Sequence, residues 1–196
     1  MQRDHSSGLL IVISGPSGVG KSSIAHALAH KLDAVFSVSM TTRPQSAQDR
    51  EGVDYYFVDA STFRAAVEEG RLLEWAEVFG NLYGTPREPV ERQLAAGRDV
   101  ILEIDVAGGR QVKAAKPDAL AIFIDPPGEQ ALLDRLEKRG RDDAATIQRR
   151  FSEAKREMAD ARASGAYDHF VVNENLDRAI DQALAIVQDQ RTERHD

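Results

Sequence analysis

The sequence contains no cysteine, and this absence excludes several kinds of chemistry. Without cysteine the chain forms no disulfides, binds no metal through thiolates and has no cysteine nucleophile. It also lacks any apolar run close to the roughly 20 residues that span a membrane, and residues 1–8 lack the apolar stretch of a signal peptide. We therefore expect a cytoplasmic protein without a membrane-spanning segment and with a flexible N-terminus over 1–8.

Positive charge is in short supply, because 25 Lys and Arg residues stand against 32 Asp and Glu residues and give a net charge of −7. Such a balance disfavours general binding to nucleic acid or to an anionic membrane. The 196 residues are 42% hydrophobic, which is enough for a sizeable core and suits one domain. We expect that domain over 9–190, followed by a flexible tail over 191–196.

Apolar runs alternate with segments of helical periodicity along the chain. Runs typical of β-strands lie at 9–13, 35–39, 55–58, 100–105, 119–125 and 170–172. Helices are indicated at 22–31, 61–69, 86–96, 108–116, 128–138, 143–164 and 176–190. Strands that alternate with helices predict an α/β fold in which a mostly parallel sheet is covered by helices.

One helix start has a particularly clear composition, Thr85-Pro86-Arg87-Glu88. Thr85 has the side chain of an N-cap, Pro86 suits the first helical position, and Glu88 can complete a capping box. We therefore predict that Thr85 caps this helix.

A glycine-rich segment follows the first strand and precedes the first helix. It matches G-x-x-x-x-G-K-[ST] with the residues Gly15, Pro16, Ser17, Gly18, Val19, Gly20, Lys21 and Ser22. Its backbone N–H groups and the helix N-terminus suit a nucleotide phosphate. Lys21 supplies charge at the β- and γ-phosphates, and the Ser22 hydroxyl can bind Mg²⁺. The alternative is a glycine-rich turn that only joins a strand to a helix.

Glu103 and Asp105 lie two residues apart near the end of an apolar strand, so both carboxylates point to one side of the sheet. Ligands bind at this edge of open α/β sheets. We interpret Asp105 as a residue that orients Mg²⁺-bound water or an arginine on the acceptor side. The alternative is that the two acids cap a strand end in solvent.

Several further motifs, taken together, resemble the guanylate kinases. They are residues 39–43, 52–58, 73–85 and 102–105, Arg139-Gly140 and Val172-Asn173. The resemblance spans about 9–190 and implies a P-loop nucleoside-monophosphate kinase fold. It implies a core of 9–38 and 96–190, an inserted GMP-binding segment of 39–95 and a lid at about 138–150. The implied reaction is ATP + GMP ⇌ ADP + GDP with Mg²⁺.

The resemblance also implies individual roles on the GMP side. Ser39, Glu74 and Thr85 would read the guanine, and Arg43, Tyr55 and Tyr83 would hold the GMP phosphate. Asp105 would also belong to the GMP site. The chemistry agrees, because a carboxylate can accept hydrogen bonds from guanine N1–H and N2–H₂ together, while hydroxyls can donate to O6. Thr85 as a helix cap and Tyr55 as a core residue are the structural alternatives, and we assign Trp75 to the core.

On the ATP side, the resemblance places Asn173 near the adenine. Arg139 and Arg150 would face the transferring phosphoryl group together with Lys21 and Arg43. The alternative for Arg150 is a solvated helix face.

The sequence departs from the family pattern in one loop. A second arginine usually follows the one at Arg43 by three residues, and here that position is Ser46. Gln48 and Asp49 replace a Gly and a Glu of the pattern. We expect weaker but productive GMP binding, unless Arg50 compensates.

Two other functions stay open at this point. The chain could be a P-loop kinase for another nucleotide or a sugar phosphate, or a guanylate-kinase-like module that binds proteins without catalysis. The substrates expected are ATP and GMP, and the oligomeric state is undecided.

Overall fold

The computed structural model describes residues 7–78, 80–138 and 143–195, and its helices and strands alternate along most of the chain. The strands are β1 (Leu10–Ser14), β2 (Val35–Phe36), β3 (Met40–Thr41), β4 (Tyr56–Phe57), β5 (Leu72–Val78), β6 (Asn81–Pro86), β7 (Val100–Glu103), β8 (Leu120–Asp125) and β9 (His169–Val172). The helices are α1 (Lys21–Leu32), α2 (Ala60–Glu68), α3 (Arg87–Ala95), α4 (Val106–Ala115), α5 (Glu129–Lys138), α6 (Ala144–Ser164) and α7 (Leu176–His195).

Five strands form a parallel sheet, sheet A, in the order β2-β7-β1-β8-β9. All five residues of β1 are buried because helices cover both faces of the sheet. Side chains alternate across a strand, so Ile11 and Ile13 pack with α1 and α7, while Leu10 and Val12 pack with α4 and α6. The expected α/β fold with a parallel sheet is confirmed.

Four strands form a second sheet, sheet B, in the order β4-β3-β6-β5. Its strands lie within 40–86, inside the segment expected to bind GMP. Phe63 and Ala66 of α2 and Leu72 of β5 form a small separate core beneath it. The antiparallel pair of β5 and β6 is absent from the sequence prediction.

The prediction that Thr85 caps a helix is wrong. Thr85 lies in β6, opposite Glu74 of β5, and α3 begins at Arg87 with Pro86 as its N-cap and no side-chain cap bond. Trp75, assigned to the core, is 41% exposed because it lies in β5, an edge strand of sheet B.

Other boundaries also differ from the prediction. The apolar run at 35–39 forms only the short β2 before the chain enters sheet B at β3. The last helix extends past 190 to His195, since Arg191 Nε donates to Asp99 Oδ2 at 2.7 Å and so anchors the final turns. Among the described residues, no helix is long and apolar enough to cross a membrane.

Candidate active site

The glycine-rich segment forms a tight loop between β1 and α1, as its sequence context predicts. Gly18 and Gly20 have φ of 87° and 98°, in the region that glycine adopts without strain. The ammonium of Lys21 turns back over the loop, and its Nζ donates to the carbonyls of Gly15 at 2.5 Å and Pro16 at 3.0 Å. The loop therefore places a positive charge and the N-terminus of α1 together, an arrangement suited to phosphate.

Asn173 lies behind this loop rather than in the open cleft. The residue is 5% exposed, and its Nδ2 donates to the Val19 carbonyl at 2.7 Å. Arg135 of α5 donates in turn to the Asn173 carbonyl at 2.7 Å. In this structure Asn173 therefore supports the loop, and its contact with adenine stays a prediction.

Glu103, at the end of β7, contacts the loop directly. The Ser22 hydroxyl donates to Glu103 Oε1 at 2.6 Å, so a hydroxyl and a carboxylate oxygen lie together where the phosphates would bind. Both are hard oxygen ligands of the kind that Mg²⁺ prefers, and the pair fits the expected ion. Among the described residues there is no group of three or more His, Asp or Glu placed to hold a metal.

Asp105 does not continue the strand as the sequence suggested. The strand β7 ends at Glu103, and Asp105 is the N-cap of α4, where its Oδ1 accepts from the Gly108 N–H at 2.7 Å. Its carboxylate still lines the cleft. Of the two acids, Glu103 rather than Asp105 contacts Ser22.

Glu74 lies in β5 on the side of the cleft that sheet B forms. It is 5% exposed, and its Oε1 accepts a hydrogen bond from the Thr85 hydroxyl at 2.7 Å. Burial, with a smaller effect from Asp105, raises the pKa of Glu74 to about 7, although the bond from Thr85 opposes this shift. The site thus contains a buried carboxyl whose charged form requires further hydrogen-bond donors.

Tyr55, Tyr83 and Ser39 line the same cleft as Glu74 and the phosphate loop. The two tyrosine rings meet edge to face with centroids 5.8 Å apart. Burial raises the pKa of Tyr55, so its hydroxyl keeps its proton and can donate. The structure therefore brings these three sequence-predicted residues together.

Arg43 lies beside Tyr55, but it is not part of the cleft lining. Its guanidinium forms a two-bond ion pair with Asp49, with nitrogen–oxygen distances of 3.0 and 3.1 Å, and lies 5.4 Å from the Tyr55 ring centroid. Asp49 Oδ2 also accepts from the Ser46 backbone N–H at 2.7 Å. The Arg43 guanidinium and the Ser46 N–H hold the pKa of Asp49 well below its usual range.

Arg50, the residue expected to compensate for Ser46, is bound within its own loop. Its backbone N–H donates to Asp54 Oδ2 at 2.8 Å, and its Nε lies 3.4 Å from the same oxygen. It does not line the cleft.

Helix α6 closes the other side of the cleft with three side chains at helical spacing, Arg150, Glu153 and Glu157. Burial raises the pKa of Glu157 to about 7; Asp105 and Glu153 add to this shift, and Lys21 opposes it. Arg139 falls on residues 139–142, outside the described residues, and so does part of the predicted lid at 138–150. Their roles stay predictions.

These elements surround one cleft of about 520 Å³. Its lining includes the phosphate loop, the end of β7, the acceptor side of sheet B and the inner face of α6. The sequence analysis named most of these residues but missed Glu153 and Glu157, and it gave Glu103 no role of its own. The spacing of Glu157 from Arg150 could have identified it, because residues seven apart share a helix face.

The comparisons with known proteins agree with this geometry. The family model described as guanylate kinase matches residues 7–190. The chain is 46% identical to a guanylate kinase of Coxiella burnetii over 94% of this chain and 89% of that protein. It is 48% identical to a guanylate kinase of Thermobifida fusca over 91% of this chain and 90% of that protein.

A solved structure agrees as well. The crystal structure of guanylate kinase from Anaplasma phagocytophilum superimposes with a TM-score of 0.76 at 33% identity, covering 95% of this chain and 87% of that one. The chain belongs to the guanylate kinase family.

Proposed function

We propose that this cleft transfers the γ-phosphoryl group of ATP to GMP and gives ADP and GDP. One observation carries the proposal: a single cleft joins a phosphate-binding loop to the buried carboxyl of Glu74 and to two tyrosine hydroxyls. The phosphate-binding loop suits a nucleoside triphosphate. The part of the cleft with Glu74 and the tyrosines suits a purine monophosphate whose base has adjacent N–H donors.

Glu74 selects guanine in this proposal. Guanine presents N1–H and N2–H₂ side by side, and both can donate to one carboxylate, whereas adenine lacks this pair of donors. The Thr85 hydroxyl already donates to Glu74 Oε1, so Thr85 orients the acid and Ser39 is the better donor for guanine O6. A base without matching donors leaves the buried acid unsatisfied, at a cost of about 1–3 kcal/mol.

The phosphate of GMP lies toward Tyr55 and Tyr83, which line the same cleft as Glu74 and the loop. Arg43 adjoins Tyr55 and supplies the charge, because a guanidinium forms charge-assisted bonds with phosphate oxygens. In this arrangement the acceptor oxygen of GMP faces the phosphate loop.

Lys21, Arg150 and the predicted lid residue Arg139 stabilise the charge on the transferring group, since phosphoryl transfer depends mainly on position and charge neutralisation. Ser22 and Glu103 would hold Mg²⁺, directly or through water, and the ion would neutralise charge on the β- and γ-phosphates. Asp105 holds the first turn of α4 against the GMP side. Closure of α6 over the cleft would exclude water as a competing acceptor. We expect the reaction to take place in the cytoplasm.

The test is an acceptor panel with MgATP and GMP, dGMP, AMP, UMP or CMP, measured on the wild type and on Glu74→Ala. We expect turnover with GMP well above that with AMP, UMP or CMP. The variant should raise the KM for GMP at least tenfold, equivalent to about 1.4 kcal/mol, with the KM for ATP unchanged. Equal effects on both substrates would contradict the role of Glu74.

The same acceptor panel tests the two alternative functions. Faster turnover of a different acceptor would indicate another nucleotide or sugar-phosphate kinase, and no ATP turnover with any acceptor would indicate a binding module. The family relationship and the complete phosphate loop favour neither of these two alternative functions.

A further inference from the structure

Gln111 joins α4 to the edge of sheet B. Its side-chain Oε1 accepts from the backbone N–H of Trp75 at 3.2 Å, and its Nε2 donates to the carbonyl of the same residue at 2.9 Å. The strand β5 is an edge strand of its sheet, so the Gln111 amide satisfies two backbone groups that a neighbouring strand would otherwise bind. One side chain thus attaches the residue after Glu74 to a helix of the other sheet.

The same helix also meets the Glu74 side chain one turn earlier. A Cβ on Gly108 would lie only 2.6 Å from Glu74 Oε2, so the carboxylate packs directly on this part of α4. Asp105 caps the helix by accepting from the Gly108 N–H at 2.7 Å. Gly108 and Gln111 lie three residues apart and therefore on one helix face. That face bounds the Glu74 carboxylate and holds the backbone of Trp75.

We propose that Gln111 is a positioning residue for guanine selection, which fixes the Glu74 carboxylate by attaching β5 to α4. This inference rests on the proposed reading of guanine by Glu74. A carboxylate that must meet two adjacent N–H groups tolerates little displacement, because hydrogen bonds weaken steeply with angle. The amide is chemically suited to the task, since it accepts and donates at once, whereas a glutamate in its place could only accept.

The experiment measures steady-state kinetics on Gln111→Ala and Gln111→Glu, with Arg110→Ala as a matched control on the same helix. Arg110 is exposed and pairs with Asp160 of α6 rather than with sheet B. The constants are kcat, the KM for ATP, the KM for GMP and the inhibition constant of IMP against GMP. IMP lacks the 2-amino group, so it makes one bond fewer to Glu74.

We expect both Gln111 variants to raise the KM for GMP about tenfold, as the loss of one or two hydrogen bonds allows. The inhibition constant of IMP should rise less, while kcat and the KM for ATP stay within twofold of wild type, as do all constants of Arg110→Ala. Unchanged KM for GMP in both variants would overturn the proposal. So would parallel losses in kcat and both KM values with a lower Tm, since these indicate a purely structural role.

Glu74→Ala in the same assay distinguishes a failure of guanine reading by Glu74 from a failure of the positioning role of Gln111. If Glu74→Ala leaves the KM for GMP unchanged, guanine reading by Glu74 fails, and this inference fails with it. If Glu74→Ala raises that KM and the Gln111 variants do not, the inference alone is overturned.

Discussion

Arg43 and Asp49 show how single residues shape the loop that we propose binds the phosphate of GMP. The Asp49 carboxylate accepts hydrogen bonds from two N–H groups of Arg43 and from the backbone N–H of Ser46. It therefore orients the guanidinium beside Tyr55, while neutralising part of its charge. The other arginine of the loop, Arg50, pairs with Asp54. A loop in which both arginines are paired to acids attracts a phosphate less strongly than a loop with a further arginine.

The first prediction restores the second arginine with Ser46→Arg. The substitution retains the bond from the backbone N–H of residue 46 to Asp49, loses the contact of the Ser46 hydroxyl with Asp49 and adds a cation. One further charge-assisted bond is worth about 1.5–3 kcal/mol, so the KM for GMP should fall by about tenfold or more, with the KM for ATP unchanged. Ser46→Ala is the control and should resemble wild type. An unchanged KM for GMP in Ser46→Arg would show that the missing arginine at position 46 does not weaken GMP binding.

At the scale of elements, the phosphate loop depends on supports from β9 and α5. Asn173 follows β9 and donates to Val19 inside the loop, and Arg135 of α5 donates to the Asn173 carbonyl. A Cβ on Gly20 would lie 2.6 Å from Asn173 Nδ2, so the amide packs closely against the loop. The shape of the loop is thus determined partly by residues more than a hundred positions away.

The second prediction removes this support with Asn173→Ala. The Val19 carbonyl loses its donor at 2.7 Å and keeps only the longer bond from Arg135 Nη1 at 3.4 Å. This loss should lower the free energy of unfolding by about 1–3 kcal/mol and raise the KM for ATP more than that for GMP. Asn175→Ala is a matched control, because Asn175 accepts from the Arg178 N–H at the start of α7. Loss of that cap should cost about 1 kcal/mol with no change in the KM for ATP. Equal KM changes for both nucleotides would contradict a role specific to the loop.

The elements that the sequence predicts well are those whose signal is local. The run at 9–13, the glycines after it and the periodicity of α1 together indicate the strand, loop and helix that bind phosphate. The hairpin of β5 and β6 is different, because Glu74 and Thr85 become partners only when the sheet forms. Thr85 and Pro86 have the composition of a helix start, and tertiary pairing overrides that local preference.

The same distinction applies within the site. Lys21 and Ser22 follow from a contiguous motif, and Glu74 and Tyr83 follow from the family resemblance. No local pattern marks Asp49 or Gln111, since each acts through a backbone or side-chain contact made only in the fold.

At the scale of the whole molecule, Glu74 and Glu157 place two carboxyl groups with raised pKa values in one cleft. Burial is the main cause for both, and the charge of Asp105 adds to both shifts. Each pKa is about 7 in the folded protein against 4.5 as the ordinary value. Between these values the folded state binds more protons than the unfolded state, so stability falls as the pH rises through this window.

The third prediction is therefore that the free energy of unfolding, measured with urea, decreases from pH 5 to pH 7.5 and then levels off. The double variant Glu74→Gln/Glu157→Gln should lose most of this slope. Asp59→Asn is the control: bonds from Ser61 and Thr62 lower the pKa of Asp59 to about 2, so its contribution is lost only as the pH falls below about 4. Asp59→Asn can change the free energy of unfolding at every pH, but its decrease from pH 5 to pH 7.5 should stay as in the wild type. A double variant with the wild-type slope would show that groups other than Glu74 and Glu157 cause the pH dependence.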